Sequence, residues 1–201
     1  MKTVVVTGLI GSGKSAVCAL LEKRGIPVYY ADERTKRLYD RRPSLVARLE
    51  QVLGTSLRLP DGSLDRKALA AVIFSDAAAR EKVEGIVYPL VLQDFRRWKG
   101  RQKEAPFVVV ESAVLLSKPL FDGSYDAAVL VSAPQDVRLR RVMARDGASR
   151  EAVLSRMQAQ EVPQDKVDVT VENDGDAASL SQAVEQVFFD KNSYLCKIIS
   201  K

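Results

Sequence analysis

Histidine is absent from the 201-residue sequence. Its absence excludes Ser-His triads, histidine general bases and histidine-ligated zinc, so a proton acceptor has to be a carboxylate or a less usual group. Cysteine is scarce as well. The two cysteines, Cys18 and Cys196, lie near opposite ends of the chain, which favours a core thiol and a tail thiol over a disulfide framework.

Long apolar runs are also missing. No stretch approaches the roughly 18 consecutive apolar residues that a membrane span needs, and the first residues lack the basic-then-apolar layout of a signal peptide. We therefore expect a cytoplasmic protein with no membrane partner. The composition, 46% hydrophobic and 28% charged, is typical of one globular domain or of one domain carrying a large insertion.

The net charge of +5 is unevenly distributed along the chain. Residues 33–103 hold 16 Lys/Arg and 9 Asp/Glu, whereas the remainder carries a slight negative excess. The middle of the chain is therefore where we expect an anionic ligand to bind. Because its basic residues are scattered among helical apolar positions rather than clustered with aromatics, the pattern favours a small molecule over nucleic acid.

Five short apolar segments predict a parallel sheet. The first strand is predicted over 3–7, and a helix over 14–24 follows it; the second strand, "IPVYYAD", is predicted to end at Asp32. Two strands flanking one helix within this length form a βαβ unit with parallel strands. Further strands are predicted at 106–111, 126–133 and 168–173. The expected fold is an α/β, doubly wound parallel sheet of about five strands.

Some seventy residues between the second and third strands show helical patterns and no clear strand. This length is too great for a connecting loop, so we expect a helical lobe of its own. The predicted division is a core of 1–32 and 104–201 and a helical insertion of 33–103. Pro89 is expected to kink the last helix of the insertion or to split it in two.

The stretch "GLIGSGKS", residues 8–15, matches G-x-x-x-x-G-K-[ST]. Its glycines let successive N–H groups converge on an anion at the positive end of the following helix. Lys14 is expected to reach the β- and γ-phosphates of ATP, and the hydroxyl of Ser15 to bind Mg²⁺. The alternative is an ordinary glycine turn. The expected nucleotide contacts of the loop are Gly8, Gly11, Ser12, Gly13, Lys14, Ser15 and Ala16.

Two carboxylates are predicted at strand ends, where ligands of parallel sheets bind. Asp32 is expected to accept the proton of an attacking hydroxyl or to hold Mg²⁺ through water. Its alternative role is the N-cap of a helix starting near Glu33. Glu111 ends the third predicted strand, where a Walker-B-type acid would contact magnesium; its alternative is a plain strand-end polar residue or cap.

A row of arginines follows the fourth predicted strand. Arg138, Arg141 and Arg145 share one helical face, and a guanidinium matches phosphate oxygens. We expect Arg141 and Arg145 to contact phosphate or adenine from a mobile lid of about 134–161. The outer members of this segment have a plainer alternative, surface ion pairs at i, i+4 between Asp136 and Arg140 and between Asp146 and Arg150.

The sequence resembles the dephospho-coenzyme A kinase family across nearly its whole length. The resemblance is carried by "TGLIGSGKS", "GIPVYYAD", "DGSLDRKALAAVIF", "RRVMARDGASREAVLSRMQAQ" and "VENDG", in that order. It implies a P-loop kinase fold and ATP-dependent phosphorylation of the 3′-hydroxyl of dephospho-coenzyme A, the last step of coenzyme A synthesis. The helical insertion would then bind the acceptor.

By position, the family's Asp-Ala-Asp corresponds to Tyr30, Ala31 and Asp32, and Asp32 matches the acid that resembles the catalytic base. The resemblance also places Asn173 near the adenine of ATP. Together with the loop lysine and the two arginines, the expected catalytic set is Asp32, Lys14, Arg141 and Arg145. Three positions depart from the family pattern in the region of the acceptor contacts: Tyr30 stands for Asp, Tyr88 for His and Ser117 for Glu.

Two other functions fit the same loop. One is a nucleoside or nucleotide kinase of similar architecture, and the other is a non-catalytic nucleotide-dependent switch. A guanine-reading Asn-Lys-x-Asp stretch does not occur in the sequence. We expect a small-molecule substrate, no nucleic-acid partner, and a monomer or weak homo-oligomer.

Overall fold

The computed structural model describes residues 1–200 and contains a five-stranded parallel sheet. The strands are β1 (Lys2–Thr7), β2 (Val28–Tyr30), β3 (Phe107–Glu111), β4 (Ala127–Ser132) and β5 (Val169–Glu172). They lie in the order β2-β3-β1-β4-β5, and every neighbouring pair is parallel. The predicted α/β fold with a parallel sheet is confirmed.

The chain divides into two compact units. One consists of Met1–Tyr30 together with the chain from Arg101 onward, and the other is Ala31–Gly100. The first unit contains the sheet and five helices: α1 (Lys14–Lys23), α6 (Gln135–Asp146), α7 (Arg150–Gln158), α8 (Ala177–Phe188) and α9 (Tyr194–Ile199). The second unit contains the four helices α2 (Ala31–Arg41), α3 (Pro43–Leu53), α4 (Arg66–Ser75) and α5 (Ala77–Lys99).

The apolar strands explain the core of the first unit. β1 lies at the centre of the sheet, and its residues Val4, Val5 and Val6 are fully buried, as expected for a parallel strand covered on both faces. On one face, Val4 and Val6 pack with residues of α1 and α8, and the rings of Phe107 and Phe188 stack 6.4 Å apart. Cys18 belongs to this core, as the sequence predicts.

The second strand is shorter than predicted. β2 ends at Tyr30, and helix α2 begins at Ala31, so Asp32 lies in the first turn of a helix and not at the end of a strand. β2 is an edge strand that pairs only with β3, and this pairing stops where Tyr30 meets Glu111. Acidic residues in a first turn favour helix formation because they interact with the positive end of the helix dipole.

Helix α5 is the centre of the second unit, because α2, α3 and α4 all pack against it. It runs through Pro89 as one helix of 23 residues, so Pro89 does not split it in two, and the kink stays a prediction. The ring of a proline clashes with the carbonyl four residues earlier. In α5 that residue is Gly85, and apart from the helix's own backbone and the adjoining residues no atom lies within 4 Å of the place where a Cβ would stand. Asp65 and Asp76 cap α4 and α5 through their side chains.

Among residues 1–200, no helix combines the length and the apolar character that crossing a membrane requires.

Candidate active site

The glycine-rich loop joins β1 to α1, as its sequence predicts. All three of its glycines adopt backbone conformations that other residues rarely take, with φ of 152° at Gly8, 79° at Gly11 and 97° at Gly13. A Cβ at Gly11 would lie 2.6 Å from the carbonyl oxygen of Arg138, and one at Gly13 would run into the amide nitrogen of Asn173. The loop is therefore closely enclosed by the residues that follow β4 and β5.

The loop leads directly into the N-terminus of α1. Gly13 is the N-cap, and its carbonyl accepts hydrogen bonds from the N–H groups of Ala16 and Val17, at 2.9 and 3.2 Å. Nζ of Lys14 donates to the carbonyl of Gly8 over 2.9 Å, which places its ammonium across the loop. A helix N-terminus beside an ammonium is a favourable place for phosphate groups.

Asn173 and Arg141 hold the same loop from another side. Asn173 follows β5 and is 5% exposed, and its Nδ2 donates to the carbonyl of Ser12 over 2.8 Å. Nη2 of Arg141 donates to Oδ1 of Asn173 over 3.3 Å, and Nη1 lies 3.5 Å from the Ser12 carbonyl. The structure thus brings together the loop, one predicted lid arginine and the predicted adenine-side asparagine.

A residue just beyond α7, which the sequence analysis missed, contacts the tip of the loop. Oε1 of Gln160, two residues beyond α7, accepts a hydrogen bond from the N–H of Ile10 over 2.7 Å. The Ile10 side chain packs against a small apolar cluster formed by α6 and α7. Gln160 lies within the stretch "RMQAQ", which resembles the family, but no periodicity distinguishes it from its neighbours. The buried members of the cluster are Leu139, Val142, Val153 and Met157.

Arg145 is not brought to the loop. It forms a two-pronged ion pair with the adjacent Asp146, with Nε 2.7 Å from Oδ1, and Asp146 also accepts from Arg156 over 3.0 Å. These contacts raise the pKa of Arg145 and lower that of Asp146. Asp146 therefore forms its ion pairs with Arg145 and Arg156, where the sequence predicts a pair with Arg150. The pair between Asp136 and Arg140 is present at 3.2 Å.

Glu111 ends β3, as predicted, and is only 9% exposed. Burial is the main cause of a raised pKa at the thiol of Cys18, and the negative charges of Glu111 and Glu22 raise it further while Lys14 lowers it. The charges of Glu111 and Lys14 therefore both act on Cys18, which α1 contributes to the core. Ser15 is exposed in the first turn of the same helix.

Ser15 and Glu111 are the residues that the sequence predicts to hold Mg²⁺. Within residues 1–200, no group of three or more His, Cys, Asp or Glu side chains could hold a metal ion. Mg²⁺ bound with nucleotides takes one or two protein groups and completes its shell with phosphate oxygens and water. A hydroxyl at Ser15 and one carboxylate at Glu111 match that donor set.

Tyr30, which replaces an acid of the family pattern, is tied to α1. Its hydroxyl donates to Oε2 of Glu22 over 2.9 Å. Burial and this hydrogen bond raise the pKa of Tyr30, so the hydroxyl stays protonated and remains a donor. Tyr30 therefore joins the end of β2 to α1.

Asp32 belongs to the second unit, where it is exposed in the first turn of α2. Its predicted alternative as an N-cap is wrong, because the helix has already begun at Ala31. Burial raises the pKa of Tyr88, and the charges of Glu84 and Asp32 act in the same direction. The Tyr88 hydroxyl donates to Glu84 over 3.2 Å. Asp32, Glu84 and Tyr88 are thus near one another on α2 and α5.

Ser117, the third departure from the family pattern, lies in a short 3₁₀ turn, Leu115–Ser117, after β3. Its hydroxyl donates to the carbonyl of Val114 over 2.8 Å. A hydroxyl satisfied within its own turn has a local structural role, and a Glu at this position would extend beyond the turn.

The sheet order, the loop after its central strand and the arginine helix that encloses that loop are the organisation of a P-loop kinase, a class that moves phosphoryl groups from nucleotides. Comparison with known proteins narrows this class. The family model of dephospho-CoA kinase matches residues 2–179, and the chain belongs to that family. It is therefore a kinase, a transferase of coenzyme A biosynthesis that uses ATP.

Individual proteins agree with the family match. A curated dephospho-CoA kinase of Porphyromonas gingivalis is 42% identical over 161 residues, 80% of this chain and 78% of that protein. A crystal structure from Thermus thermophilus is 36% identical with a TM-score of 0.79, covering 92% of this chain and 94% of that one. A dephospho-CoA kinase structure from Campylobacter jejuni, at 22% identity and a TM-score of 0.66 over 93% and 96% of the two chains, supports the fold alone.

Proposed function

We propose that the protein transfers the γ-phosphoryl group of ATP to the ribose 3′-hydroxyl of dephospho-coenzyme A, which yields coenzyme A and ADP. The observation that carries this proposal is the enclosed loop, with Lys14, Arg141 and Asn173 gathered on it, in a chain whose family model spans residues 2–179. In the reaction the bond from the γ-phosphorus to its bridging oxygen breaks and a bond to the 3′-oxygen forms.

The loop residues have the role of holding the triphosphate. The predicted contacts are Gly8, Gly11, Ser12, Gly13, Lys14, Ser15 and Ala16, and Lys14 supplies a positive charge where negative charge gathers during transfer. Asn173 is proposed to lie near the adenine of ATP, and Arg141 to contact phosphate or adenine. Their mutual hydrogen bond and their shared contact with the Ser12 carbonyl support a common role.

Asp32 is proposed as the base that orients the 3′-hydroxyl and takes its proton. Its exposed carboxylate supports this role, because a base has to be reachable by an incoming hydroxyl. A modest base is sufficient, since phosphoryl transfer through a loose transition state depends mainly on positioning and charge stabilisation.

Ser15 and Glu111 are proposed to hold Mg²⁺, which when bound neutralises charge on the phosphate oxygens. Arg145 is proposed to leave its ion pair with Asp146 and to contact phosphate when a lid of about 134–161 closes. The exposure of that pair supports the exchange, because exposed ion pairs contribute little to stability.

The helical segment 33–103 is proposed as the acceptor-binding part, and 1–32 with 104–201 as the nucleotide-binding part. The excess of basic residues in the former suits an acceptor that carries a pyrophosphate. Its helices form a separate compact unit, Ala31–Gly100. A cytoplasmic location and a monomeric or weakly associating state remain predictions from the sequence.

The test is a coupled ADP-release assay with dephospho-coenzyme A, adenosine, AMP and shikimate as alternative acceptors. We expect turnover with dephospho-coenzyme A alone. Lys14→Ala should lower kcat by about a hundredfold or more, because it removes a charge that contacts the transferred group. Turnover confined to another acceptor contradicts the proposed substrate, and full activity of Lys14→Ala contradicts the proposed site.

A further inference from the structure

The tip of the glycine-rich loop is a tight turn formed by residues 9–12. The N–H of Ser12 donates to the carbonyl of Leu9 over 3.1 Å, and Gly11 has a φ of 79°, the positive value that the third residue of a type II turn takes. This hydrogen bond uses the N–H of Ser12, so the N–H groups of the central residues Ile10 and Gly11 are left for partners outside the turn. Contacts from outside the turn therefore decide how its centre is oriented.

Ile10 is held through both its backbone and its side chain. Oε1 of Gln160 accepts a hydrogen bond from the N–H of Ile10 over 2.7 Å, at the short end of the usual range for such bonds. The Ile10 side chain packs against the apolar cluster of α6 and α7. A rotation of the turn has to break both contacts, so the two together favour one orientation of the peptide that precedes Ile10.

Gln160 reaches the loop from an anchored part of the chain. Met157 and Val162, on either side of it in the sequence, are only 7% and 6% exposed. The N–H of Gln160 also lies 3.4 Å from the carbonyl oxygen of Met157. An acceptor carried by an anchored segment orients its partner at a smaller cost in entropy than one on a mobile segment.

The turn belongs to the surface that is proposed to receive the triphosphate, since Gly11 and Ser12 are among its expected nucleotide contacts. We propose that Gln160 is a positioning residue for ATP, which holds the N–H of Ile10 and so keeps the turn in the conformation that receives phosphate. The inference rests on the proposed role of the loop. Without Gln160 the turn populates other conformations, and the apparent affinity for nucleotide falls with the fraction that stays competent.

The first test is titration calorimetry of the full chain with ADP and with a non-hydrolysable ATP analogue, in the absence of acceptor. Gln160→Met keeps the length of the side chain but removes the acceptor oxygen, so nucleotide binding should weaken about three- to tenfold, the effect of one hydrogen bond. Gln160→Glu keeps an acceptor oxygen and should recover most of this loss in about 0.5 M salt, which screens its added charge. Gln158→Met, at the exposed last residue of α7, is the matched control and should bind normally.

Steady-state kinetics separate positioning from a merely structural role. With dephospho-coenzyme A as acceptor, Gln160→Met should raise KM for ATP by the same factor and leave kcat within about twofold, because Gln160 acts through Ile10 and not on the reacting atoms. A structural role would instead lower kcat and the number of binding sites through loss of folded protein, with KM unchanged.

Three results overturn the proposal: undiminished nucleotide binding by Gln160→Met, a loss in kcat alone, or binding by Gln160→Glu that is no better than that of Gln160→Met. The binding measurements need no acceptor, so they test Gln160 whatever the acceptor is. Nucleotide binding that Lys14→Ala leaves unchanged contradicts the proposed role of the loop itself, and this separates failure of the site from failure of the role of Gln160.

Discussion

Asp32 and Glu111 are carboxylates in opposite surroundings. Asp32 is exposed in the first turn of α2, whereas Glu111 is 9% exposed at the end of β3. Tyr30, the last residue of β2, donates its hydroxyl to Glu22. This difference in access is the reason to assign the base to Asp32 and the metal to Glu111, since a base has to meet the incoming hydroxyl.

Asp32→Asn keeps the shape and one acceptor oxygen of the side chain but loses its charge and proton affinity. We expect unchanged ATP binding and a kcat lower by about two to four orders of magnitude. Glu111→Gln should instead raise the magnesium concentration that half-saturates activity. Steady-state rates at saturating substrates across a magnesium series distinguish these effects.

Asp40→Asn is the matched control for Asp32→Asn. Asp40 lies on the same helix and forms an exposed ion pair with Arg66, so its loss should change activity little. If Glu111→Gln is inactive at every magnesium concentration while Asp32→Asn turns over normally, the two roles are reversed.

At the scale of elements, helix α1 begins and ends with glycines in left-handed conformations. Gly13 is the N-cap with φ 97°, and Gly25 follows the C-terminus with φ 77°. A Cβ at Gly13 would meet the amide of Asn173, whereas no atom lies within 4 Å of a Cβ at Gly25. A side chain would strain the backbone at either position, but only at Gly13 would it also meet a neighbouring residue.

This pair gives a controlled test of the loop. Gly25→Ala should cost about 1–2 kcal/mol of stability and leave kcat/KM for ATP within about twofold, because only the backbone is strained. Gly13→Ala should have the same backbone strain. It should also displace Asn173 from the Ser12 carbonyl and lower kcat/KM for ATP by about a hundredfold or more. The measurements are urea unfolding and ATP kinetics. Equal kinetic losses in both variants would show that strain, not the Asn173 contact, governs the loop.

The sequence predicts elements well where local signals suffice. The apolar runs and the glycine motif place all five strands and α1, and the parallel sheet is confirmed. The end of β2 was misplaced because an edge strand stops where its partner stops, which local sequence does not show. Gln160 and the partners of Arg145 were also missed or misassigned, since both depend on contacts made by the folded chain. The roles of the site residues stay predictions.

For the molecule as a whole, the absence of histidine shapes the dependence of stability on pH. No imidazole titrates near neutral pH. The groups that make stability depend on pH therefore titrate at low or high pH. Burial raises the pKa of Tyr39 from 10.0 to about 12, and it raises that of Tyr88 as well. A raised pKa in the folded state contributes stability that is complete below about pH 10 and is lost as the pH rises through the folded value.

We therefore expect the free energy of unfolding to decline between about pH 10 and pH 12. Tyr39→Phe should make this decline shallower by about 2 kcal/mol at most, because it removes one group that must ionise. The single tryptophan, Trp98, lies in α5 of the same unit and reports its unfolding by urea. Tyr194→Phe, at an exposed tyrosine of α9, is the control. An unchanged decline in Tyr39→Phe contradicts this account.

The pairing of β1 has a consequence for synthesis of the chain on the ribosome. Its partners lie far downstream, with Lys2 opposite Phe107 and Val4 opposite Ala127. At about 5–20 residues per second, roughly 5 to 20 seconds separate the emergence of β1 from that of β3. The helices of Ala31–Gly100 emerge in this interval. The apolar strand Val4–Val6 is without its sheet partners throughout this interval, so β1 is a clear target for nascent-chain binding factors.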